Sequence, residues 1–215
     1  MSNRSLNTIF VLSLAAAGLS AATFPDPPDA KLAPVKGTET AVLAGGCFWG
    51  VEAVFEQLNG VSDVVSGFAG GSAANAHYDN VSSGRTGHAE SVKITYDPSQ
   101  VSYGQLLKIF FSVAHDPTEL NRQGPDTGTQ YRSAIFYAND EQKRVAEGYI
   151  QELNDAKVFR KKIVTQVVPL QAFYAAEDYH QNFIERNPTY PYVVYNDLPK
   201  LKQLKQQYPA MCKRK

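Results

Sequence analysis

The sequence predicts a mixed α/β protein of the α+β type, in which helices pack on a mixed sheet. Short apolar segments with strand character alternate with amphipathic helical segments, in the order β-α-β-β-α-β-α-β-α. Two of the predicted strands follow one another directly, which indicates paired neighbours. The chain has 215 residues, 43% of them hydrophobic, and this suits one domain with a sizeable core. We therefore expect a single folded domain over residues 39–215.

The N-terminus carries the three ordered parts of a secretory signal peptide. Arg4 supplies a positive charge, residues 9–19 form a short apolar stretch, and small residues surround a cleavage site near Ala22. The apolar stretch is shorter than the about 20 residues that span a bilayer. We expect residues 1–22 to be a cleavable signal peptide and the mature protein to be periplasmic or secreted, without a membrane span. A frayed apolar N-terminus is the alternative.

A proline-rich segment and a strand-turn-helix unit come next. Residues 23–38 contain several prolines and are interpreted as a linker or a surface arm. Residues 40–44 form an apolar strand that ends at a glycine pair, and a helix follows. The helix pattern predicts a buried stripe of Phe48, Val51, Val54, Phe55 and Leu58, with Glu52, Glu56 and Gln57 on the opposite face.

The remaining elements follow from periodicity and from turn residues. Strands are predicted at 61–68, 89–96, 133–137 and 163–168, and helices at 106–113 and 175–185. Asn139 is expected to cap a further helix, with Gln142 at the capping-box position. Leu198, Leu201, Leu204 and Tyr208 predict a last amphipathic helix, closed by Pro209.

Composition excludes several classes of function. The chain has 21 basic and 21 acidic residues, so electrostatic capture of nucleic acid or of an acidic membrane is not predicted. The four histidines are scattered and no His/Cys cluster has zinc-ligand spacing, so no metal site is expected. The glycine pairs lack the context of a phosphate-binding loop.

Cys47 has the local environment of a reactive cysteine. It follows Gly45 and Gly46 and begins a helix, where unpaired backbone N–H groups and the helix dipole favour a thiolate. The neighbouring aromatic surface of Trp49 is suited to receive an apolar group beside the sulfur. We therefore expect Cys47 to be a nucleophile with a lowered pKa, the alternative being a small buried residue.

The second cysteine, Cys212, leaves three interpretations open. In an oxidising compartment two cysteines by default predict a structural disulfide, here a staple in a non-catalytic exported domain. Another thiol enzyme is the second interpretation, such as a peroxidase or a cysteine hydrolase, although no histidine is distinctively paired with Cys47. A redox enzyme that uses both thiols is the third.

Five ordered motifs resemble the A-type peptide methionine sulfoxide reductase family, and they span about residues 40–190. They are Gly46-Cys47-Phe48-Trp49-Gly50, residues 83–90 (SGRTGHAE), residues 115–118 (HDPT), residues 128–133 (GTQYRS) and residues 176–181 (AEDYHQ). The resemblance implies a two-layer mixed sheet with a ferredoxin-like core and an irregular C-terminal region. It also implies reduction of the S epimer of methionine sulfoxide, free or in proteins.

The resemblance further assigns roles to residues of the site. Cys47 matches the nucleophile and Glu90 the acid that protonates the sulfoxide oxygen. Phe48 and Trp49 match the pocket for the substrate methyl group. Hydroxyls that hold the oxygen are matched by Tyr78 and Tyr131, and a supporting polar residue by Asp126.

Turnover would oxidise Cys47 to a sulfenic acid, which a thiol must then reduce. Cys212 is the only other cysteine, and we predict that it resolves the sulfenic acid as a Cys47–Cys212 disulfide. Family members often carry such a cysteine in a glycine-rich tail, whereas this tail has no glycine and Ser82 stands where a cysteine often occurs. We expect an external thioredoxin-like dithiol as the reductant, no bound cofactor, oxidised proteins as substrates, and a monomer.

Overall fold

The structure is a computed structural model and describes residues 24–214. The predicted signal peptide at residues 1–22 lies outside the described residues. Within the described part, no helix has the length and apolar character needed to cross a membrane.

A six-stranded mixed sheet forms the centre of the molecule, in the order β7-β6-β1-β3-β2-β8. Its strands are β1 (Glu39–Gly45), β2 (Val61–Ala69), β3 (Ala89–Tyr96), β6 (Ser133–Tyr137), β7 (Gln166–Pro169) and β8 (Phe173–Ala175). The β6–β7 pair is parallel and the other pairs are antiparallel. Two further short strands, β4 (Arg122–Gln123) and β5 (Asp126–Thr127), form a separate hairpin.

Within residues 24–214, six α-helices of unequal length accompany the strands. They are α1 (Phe48–Glu56), α2 (Tyr78–Val81), α3 (Tyr103–Ile109), α4 (Asp140–Asp155), α5 (Phe183–Arg186) and α6 (Leu198–Gln207). A π-helical turn at Phe110–Ala114 extends α3, and another at Val193–Asp197 precedes α6. The side chain of Asn139 caps α4 by accepting from the Gln142 backbone N–H at 2.9 Å, as predicted. The Gln142 side chain accepts instead from Ala138, so the reciprocal capping-box bond is absent there.

The two faces of the sheet are covered unequally. Along β1, Ala41 and Leu43 face a large apolar core that includes side chains of α1, α3 and α4. Val42 and Ala44 point to the opposite face, where only a small cluster of mostly alanine side chains is buried. The alternation follows from the two-residue period of a strand. The predicted mixed α/β sheet is confirmed, whereas the ferredoxin-like arrangement of its core stays a prediction.

The predicted helix at 175–185 is wrong. Residues there form the end of β8, a 3-10 turn at Asp178–His180, and the short helix α5. Gln181 is extended and its side chain bonds both the N–H and the C=O of Ser66 at 2.9 Å, while Asn182 has a φ of 51°. These long-range bonds to β2 replace the helical hydrogen bonds that the periodicity predicts.

The polar face predicted for α1 is wrong at one position. Glu56 is half-buried, whereas Glu52 is only 1% exposed. The Glu52 side chain is enclosed between its own helix and the segment that contains Asn182. A charged residue on an otherwise amphipathic helix predicts an exposed position unless a second layer covers it. That second layer is formed by residues distant in sequence.

The segment before β1 has neither helix nor strand, and it packs on the domain as a surface arm. Phe24 makes an edge-to-face contact with Phe159, and the Pro25 carbonyl accepts from the Tyr149 hydroxyl at 3.0 Å. The assignment of residues 23–38 as a linker between a signal peptide and the domain stays a prediction.

Candidate active site

A cavity of about 200 Å³ opens at the N-terminal end of α1. It is lined by Cys47, Phe48, Trp49, Tyr78, Glu90, Asp126, Tyr131, Tyr190 and Tyr192. The structure thus brings together all the predicted site residues except Cys212. A wider depression of about 980 Å³ lies beside the N-terminal arm, but its lining contains no cysteine or histidine.

The turn between β1 and α1 places Cys47 at the cavity. Gly46 has a φ of 91°, which only glycine adopts readily, and a Cβ on it would lie 2.5 Å from Gln123 Cγ. Cys47 is the residue immediately before α1 and is 9% exposed. The glycine therefore allows the chain to turn from the sheet into the helix while the β4–β5 hairpin packs directly against it.

The pKa of Cys47 is raised well above its ordinary value, in contrast to the prediction from the helix N-terminus. Burial is the main cause, and the nearby carboxyl groups of Glu90 and Asp197 act in the same direction. The Trp49 backbone N–H and the Lys200 ammonium lower the pKa, but they do not offset desolvation. The expectation of a lowered pKa is wrong because a sequence pattern shows the helix end and not the depth of burial.

Glu90 lies on β3 beside the start of α1 and is 2% exposed. Burial raises its pKa to about 8, and the Asp126 carboxyl adds to this increase. The Phe48 backbone N–H donates to Glu90 Oε2 at 3.1 Å and acts in the opposite direction. At neutral pH this carboxyl group is therefore predominantly protonated and has a proton to donate.

Two predicted hydroxyls and a predicted carboxyl complete the polar part of the cavity. Burial raises the pKa of Tyr78 to about 12 and also raises that of Tyr131, so both phenols are protonated donors. Asp126 accepts a hydrogen bond from the Tyr192 hydroxyl, and burial raises its pKa. All three groups converge on the space beside Cys47 and Glu90.

Tyr190 and Tyr192 also line the cavity and were not predicted from the sequence. They lie in a segment with Pro188 and Pro191, where two tyrosines separated by a single residue give a weak indication that both belong to one surface. Each contacts the Trp49 ring edge-on, with centroids 6.4 and 6.0 Å apart. They extend the apolar wall that Phe48 and Trp49 form.

A buried ion pair lies close to α1 and was likewise missed. Asp197 is fully buried, and its Oδ1 lies 3.4 Å from Lys200 Nζ at the start of α6. A Cβ on Gly50 would overlap Asp197 Oδ1, so the second glycine of the Gly-Cys-Phe-Trp-Gly motif permits this approach. The pair acts on Cys47 with opposite charges, and Asp197 raises its pKa whereas Lys200 lowers it.

Cys212 lies away from the cavity, at the far end of α1. It forms a β-bridge with Leu58, and its carbonyl accepts from the Asn59 side chain at 3.1 Å. At a helical rise of about 1.5 Å per residue, the Cα atoms of Cys47 and Leu58 lie about 16 Å apart. A disulfide needs the Cα atoms of its two cysteines within about 7 Å of each other. Both cysteines are free, so a permanent staple between them is wrong for this conformation.

The described residues do not suggest a metal site. Between residues 24 and 214 no three or more His, Cys, Asp or Glu side chains are arranged to hold a metal ion. Among the described residues that line the cavity there is no histidine, the base that activates the nucleophile of a cysteine hydrolase.

A buried cysteine, a protonated carboxylic acid, two phenols and an aromatic wall around a small cavity define the site of a thiol-dependent oxidoreductase. Comparison with known proteins gives its family. The profile of the family described as peptide methionine sulfoxide reductase matches residues 39–211, and the chain belongs to this family. It is a peptide-methionine (S)-S-oxide reductase of the A type.

Two relatives and two solved structures illustrate the similarity. Peptide methionine sulfoxide reductase MsrA 2 of Mesorhizobium japonicum is 59% identical over 187 residues, which cover 87% of this chain and 95% of that protein. MsrA 2 of Synechocystis sp. is also 59% identical and covers 83% of both chains. Methionine sulfoxide reductase A of Corynebacterium diphtheriae is 41% identical, with a TM-score of 0.62 over 71% of this chain and 76% of that chain. Reduced Mxr1 of Saccharomyces cerevisiae is 33% identical, with a TM-score of 0.64 over 75% of this chain and 91% of that chain.

Proposed function

We propose that this reductase repairs methionine S-sulfoxide in exported proteins, and also reduces the free amino acid, through Cys47 and Cys212. The observation that carries the proposal is the cavity in which the Cys47 sulfur and the protonated Glu90 carboxyl share one aromatic-walled space. An apolar wall of Phe48 and Trp49 suits the methyl group of the substrate. Glu90, Tyr78 and Tyr131 supply the donors that a sulfoxide oxygen accepts.

In the first step Cys47 attacks the sulfoxide sulfur while Glu90 protonates the oxygen. The attack forms a bond between the Cys47 sulfur and the substrate sulfur, while the sulfoxide oxygen takes the protons of Glu90 and of the Cys47 thiol and leaves as water. A water molecule then attacks the Cys47 sulfur, the bond between the two sulfurs breaks, and its electron pair leaves with the methionine thioether. Cys47 has supplied two electrons and becomes a sulfenic acid, and Glu90 recovers its proton. The two phenols stabilise the negative charge that develops on the oxygen, and Asp126 supports this arrangement. A neutral Glu90 also removes the repulsion that its anion would exert on a forming Cys47 thiolate.

In the second step the Cys212 thiol condenses with the sulfenic acid, releasing water and forming a disulfide. The C-terminal tail must first leave its place beside Leu58. Backbone bonds hold it there, from Asn59 N–H to the Met211 carbonyl at 2.8 Å and from Lys213 N–H to the Gln57 carbonyl at 2.7 Å. Fully extended, residues 208–212 span about 14 Å. Cys212 can therefore approach Cys47 only if the whole tail from residue 208 onward is released from α1, or if the last turn of α6 also unwinds.

An external dithiol then reduces the disulfide by thiol exchange. The N-terminal sequence pattern supports a periplasmic or secreted location. Outside the cytoplasm the donor is a thioredoxin-like protein that is itself exported or linked to the membrane. A monomer and the absence of a bound cofactor remain part of this proposal.

The proposal is tested with separated sulfoxide epimers and two serine variants. Wild type should reduce only the S epimer, and Cys47→Ser should reduce neither. Cys212→Ser should keep its turnover with dithiothreitol, which reduces the sulfenic acid directly, and lose its turnover with a thioredoxin-like donor.

Mass spectrometry of the product supplies the control for this experiment. One turnover without reductant should give a Cys47–Cys212 disulfide in wild type and a sulfenic acid on Cys47 in Cys212→Ser. Equal turnover of Cys212→Ser with both reductants would remove the resolving role, and activity in Cys47→Ser would remove the nucleophile. Retention of residues 1–22 in protein isolated from the native cell envelope or medium would contradict the cleaved signal peptide.

A further inference from the structure

Glu52 is a buried carboxyl group for which the proposed mechanism has no role. It lies on α1 one turn after Trp49 and is 1% exposed. Burial raises its pKa to about 8, so it is predominantly protonated at neutral pH. Burying a carboxyl group is costly unless it is hydrogen-bonded, which indicates a specific structural reason for its position.

The partner of Glu52 is a backbone group in a tight turn. The Asn182 N–H donates to both carboxyl oxygens, at 3.2 Å to Oε1 and 3.1 Å to Oε2. Asn182 has a φ of 51°, a left-handed conformation that is uncommon for residues other than glycine. The hydrogen bond to Glu52 holds this turn against α1.

The residues on both sides of this turn contact Trp49. His180 Nδ1 accepts from the Trp49 Nε1–H at 3.1 Å. The Phe183 ring stacks on the indole with centroids 3.7 Å apart and an interplanar angle of 7°. His180, Asn182 and Phe183 therefore form a clamp that fixes the indole both at its edge and on its face.

We propose that Glu52 is a positioning residue, which holds the turn at Asn182 and thereby sets where His180 and Phe183 place Trp49 in the cavity wall. The position of the wall decides how closely the pocket fits the methyl group of the substrate. The inference deepens the proposed function, because it rests on Trp49 being the methyl-binding wall. A residue acting only on overall stability would leave the indole environment of the folded protein unchanged.

Two substitutions at position 52 separate positioning from other roles. Glu52→Leu keeps the approximate volume and removes the acceptor for the Asn182 N–H. Glu52→Gln keeps an acceptor oxygen and should behave as wild type. Glu56→Gln, one turn further along α1 and outside the cavity, is the matched control.

The fluorescence of Trp49 reports the clamp directly, because it is the only tryptophan of the protein. We expect a shifted emission maximum and increased acrylamide quenching in folded Glu52→Leu, and wild-type values in Glu52→Gln and Glu56→Gln. His180→Phe keeps an aromatic ring but removes the acceptor for the indole N–H. It should reproduce the change, and it tests the same clamp if Glu52→Leu does not fold.

Kinetics with methyl and ethyl sulfoxides test the consequence for specificity. One methylene in a well-formed pocket is discriminated about 10- to 200-fold. In Glu52→Leu the methyl-over-ethyl ratio of kcat/KM should fall at least about threefold, and KM for the methyl sulfoxide should rise about tenfold with kcat changed less. Glu52→Gln should restore both quantities.

Unchanged Trp49 fluorescence and an unchanged methyl-over-ethyl ratio in folded Glu52→Leu and in His180→Phe would overturn the inference. An equal loss in Glu52→Leu and Glu52→Gln would also overturn it. Altered fluorescence with an unchanged ratio would instead contradict Trp49 as the methyl-binding wall. The fluorescence experiment needs no turnover, so its result stands apart from any failure of the proposed reaction.

Discussion

At the residue scale, burial controls the ionisation of the reacting groups. The N-terminus of α1 favours a thiolate, yet desolvation raises the pKa of Cys47 well above its ordinary value. The same cavity raises the pKa of Glu90 to about 8. The resting site therefore contains a thiol and a carboxylic acid, both uncharged. Its chemistry depends on how substrate binding changes the protonation of these two groups.

The pH dependence of Cys47 alkylation tests the raised pKa. Iodoacetamide reacts with thiolates, so in Cys212→Ser, which leaves one cysteine, labelling should be slow at pH 7 and still rising at pH 9. Unfolding the protein should make labelling fast near the pKa of an ordinary cysteine, about 8.5. A rate that levels off below pH 7 would contradict the burial argument.

The role of Glu90 predicts a pH dependence of the reductive step. An acid with a pKa of about 8 is protonated below that pH, so the single-turnover rate should be level there and fall about tenfold per pH unit above it. Glu90→Gln should lower the rate by about 10²–10⁴ and remove this decline. Glu141→Gln, at an exposed position on α4, should match wild type. A near-normal rate in Glu90→Gln would show that another group donates the proton.

At the element scale, α1 carries the site because it is held at several points. Its N-terminal end meets the glycine turn, and its side at Gly50 contacts Asp197. The residues after α6 pair with Leu58 and Asn59 at its other end, so α6 runs beside α1 in the same direction. Cys47 thus lies at one end of α1 and Cys212 is bound at the other end, so the two thiols stay apart until residues 208–212 are released.

Replacing each of two helical glycines by alanine should change the free energy of unfolding in opposite directions. In Gly50→Ala the methyl group would overlap Asp197 Oδ1, and overpacking of this kind costs about 1–3 kcal/mol. In Gly148→Ala on α4 the nearest atom lies at an ordinary 3.5 Å, so the better helix propensity should stabilise the protein by about 0.5–1 kcal/mol. Urea denaturation measures both, and equal effects would contradict the close approach at Gly50.

At the scale of the whole molecule, several buried titratable groups make stability depend on pH. The pKa of Glu52 and of Glu90 is about 8 in the folded state, against 4.5 ordinarily. The unfolded chain releases these protons first, so stability falls as pH rises from about 4.5 to 8. Burial lowers the pKa of His115 to about 4 from 6.5, so stability also falls as pH decreases from about 6.5 to 4.

Between about pH 4.5 and 6.5 the two carboxyl groups outweigh the single histidine, so the free energy of unfolding should be greatest near pH 4.5. Each buried carboxyl group contributes a decline of up to about 1.4 kcal/mol per pH unit above this pH. Urea denaturation across pH 4 to 9 measures the curve, and Glu90→Gln should reduce its decline on the alkaline side. A stability that keeps rising between pH 6.5 and 8 would show that these carboxyl groups ionise normally in the folded protein.

The sequence determined the elements whose patterns are local. Strands at 89–96 and 133–137 match β3 and β6, and the turn from Gly46 into α1 follows from glycine and helix rules. The ordered motifs also identified the residues that the structure collects in one cavity, although their roles remain predictions. Periodicity and turn chemistry act over a few residues, and such signals can be recognised without the fold.

Only the tertiary structure decided what depends on distant neighbours. The helix predicted at 175–185 gives way to bonds between Gln181 and Ser66, and Glu52 is buried because the turn at Asn182 covers it. The raised pKa of Cys47 and the position of Cys212 at the far end of α1 likewise result from contacts between segments that are far apart in the chain. Desolvation and packing depend on which surfaces meet, and a sequence pattern does not specify that contact.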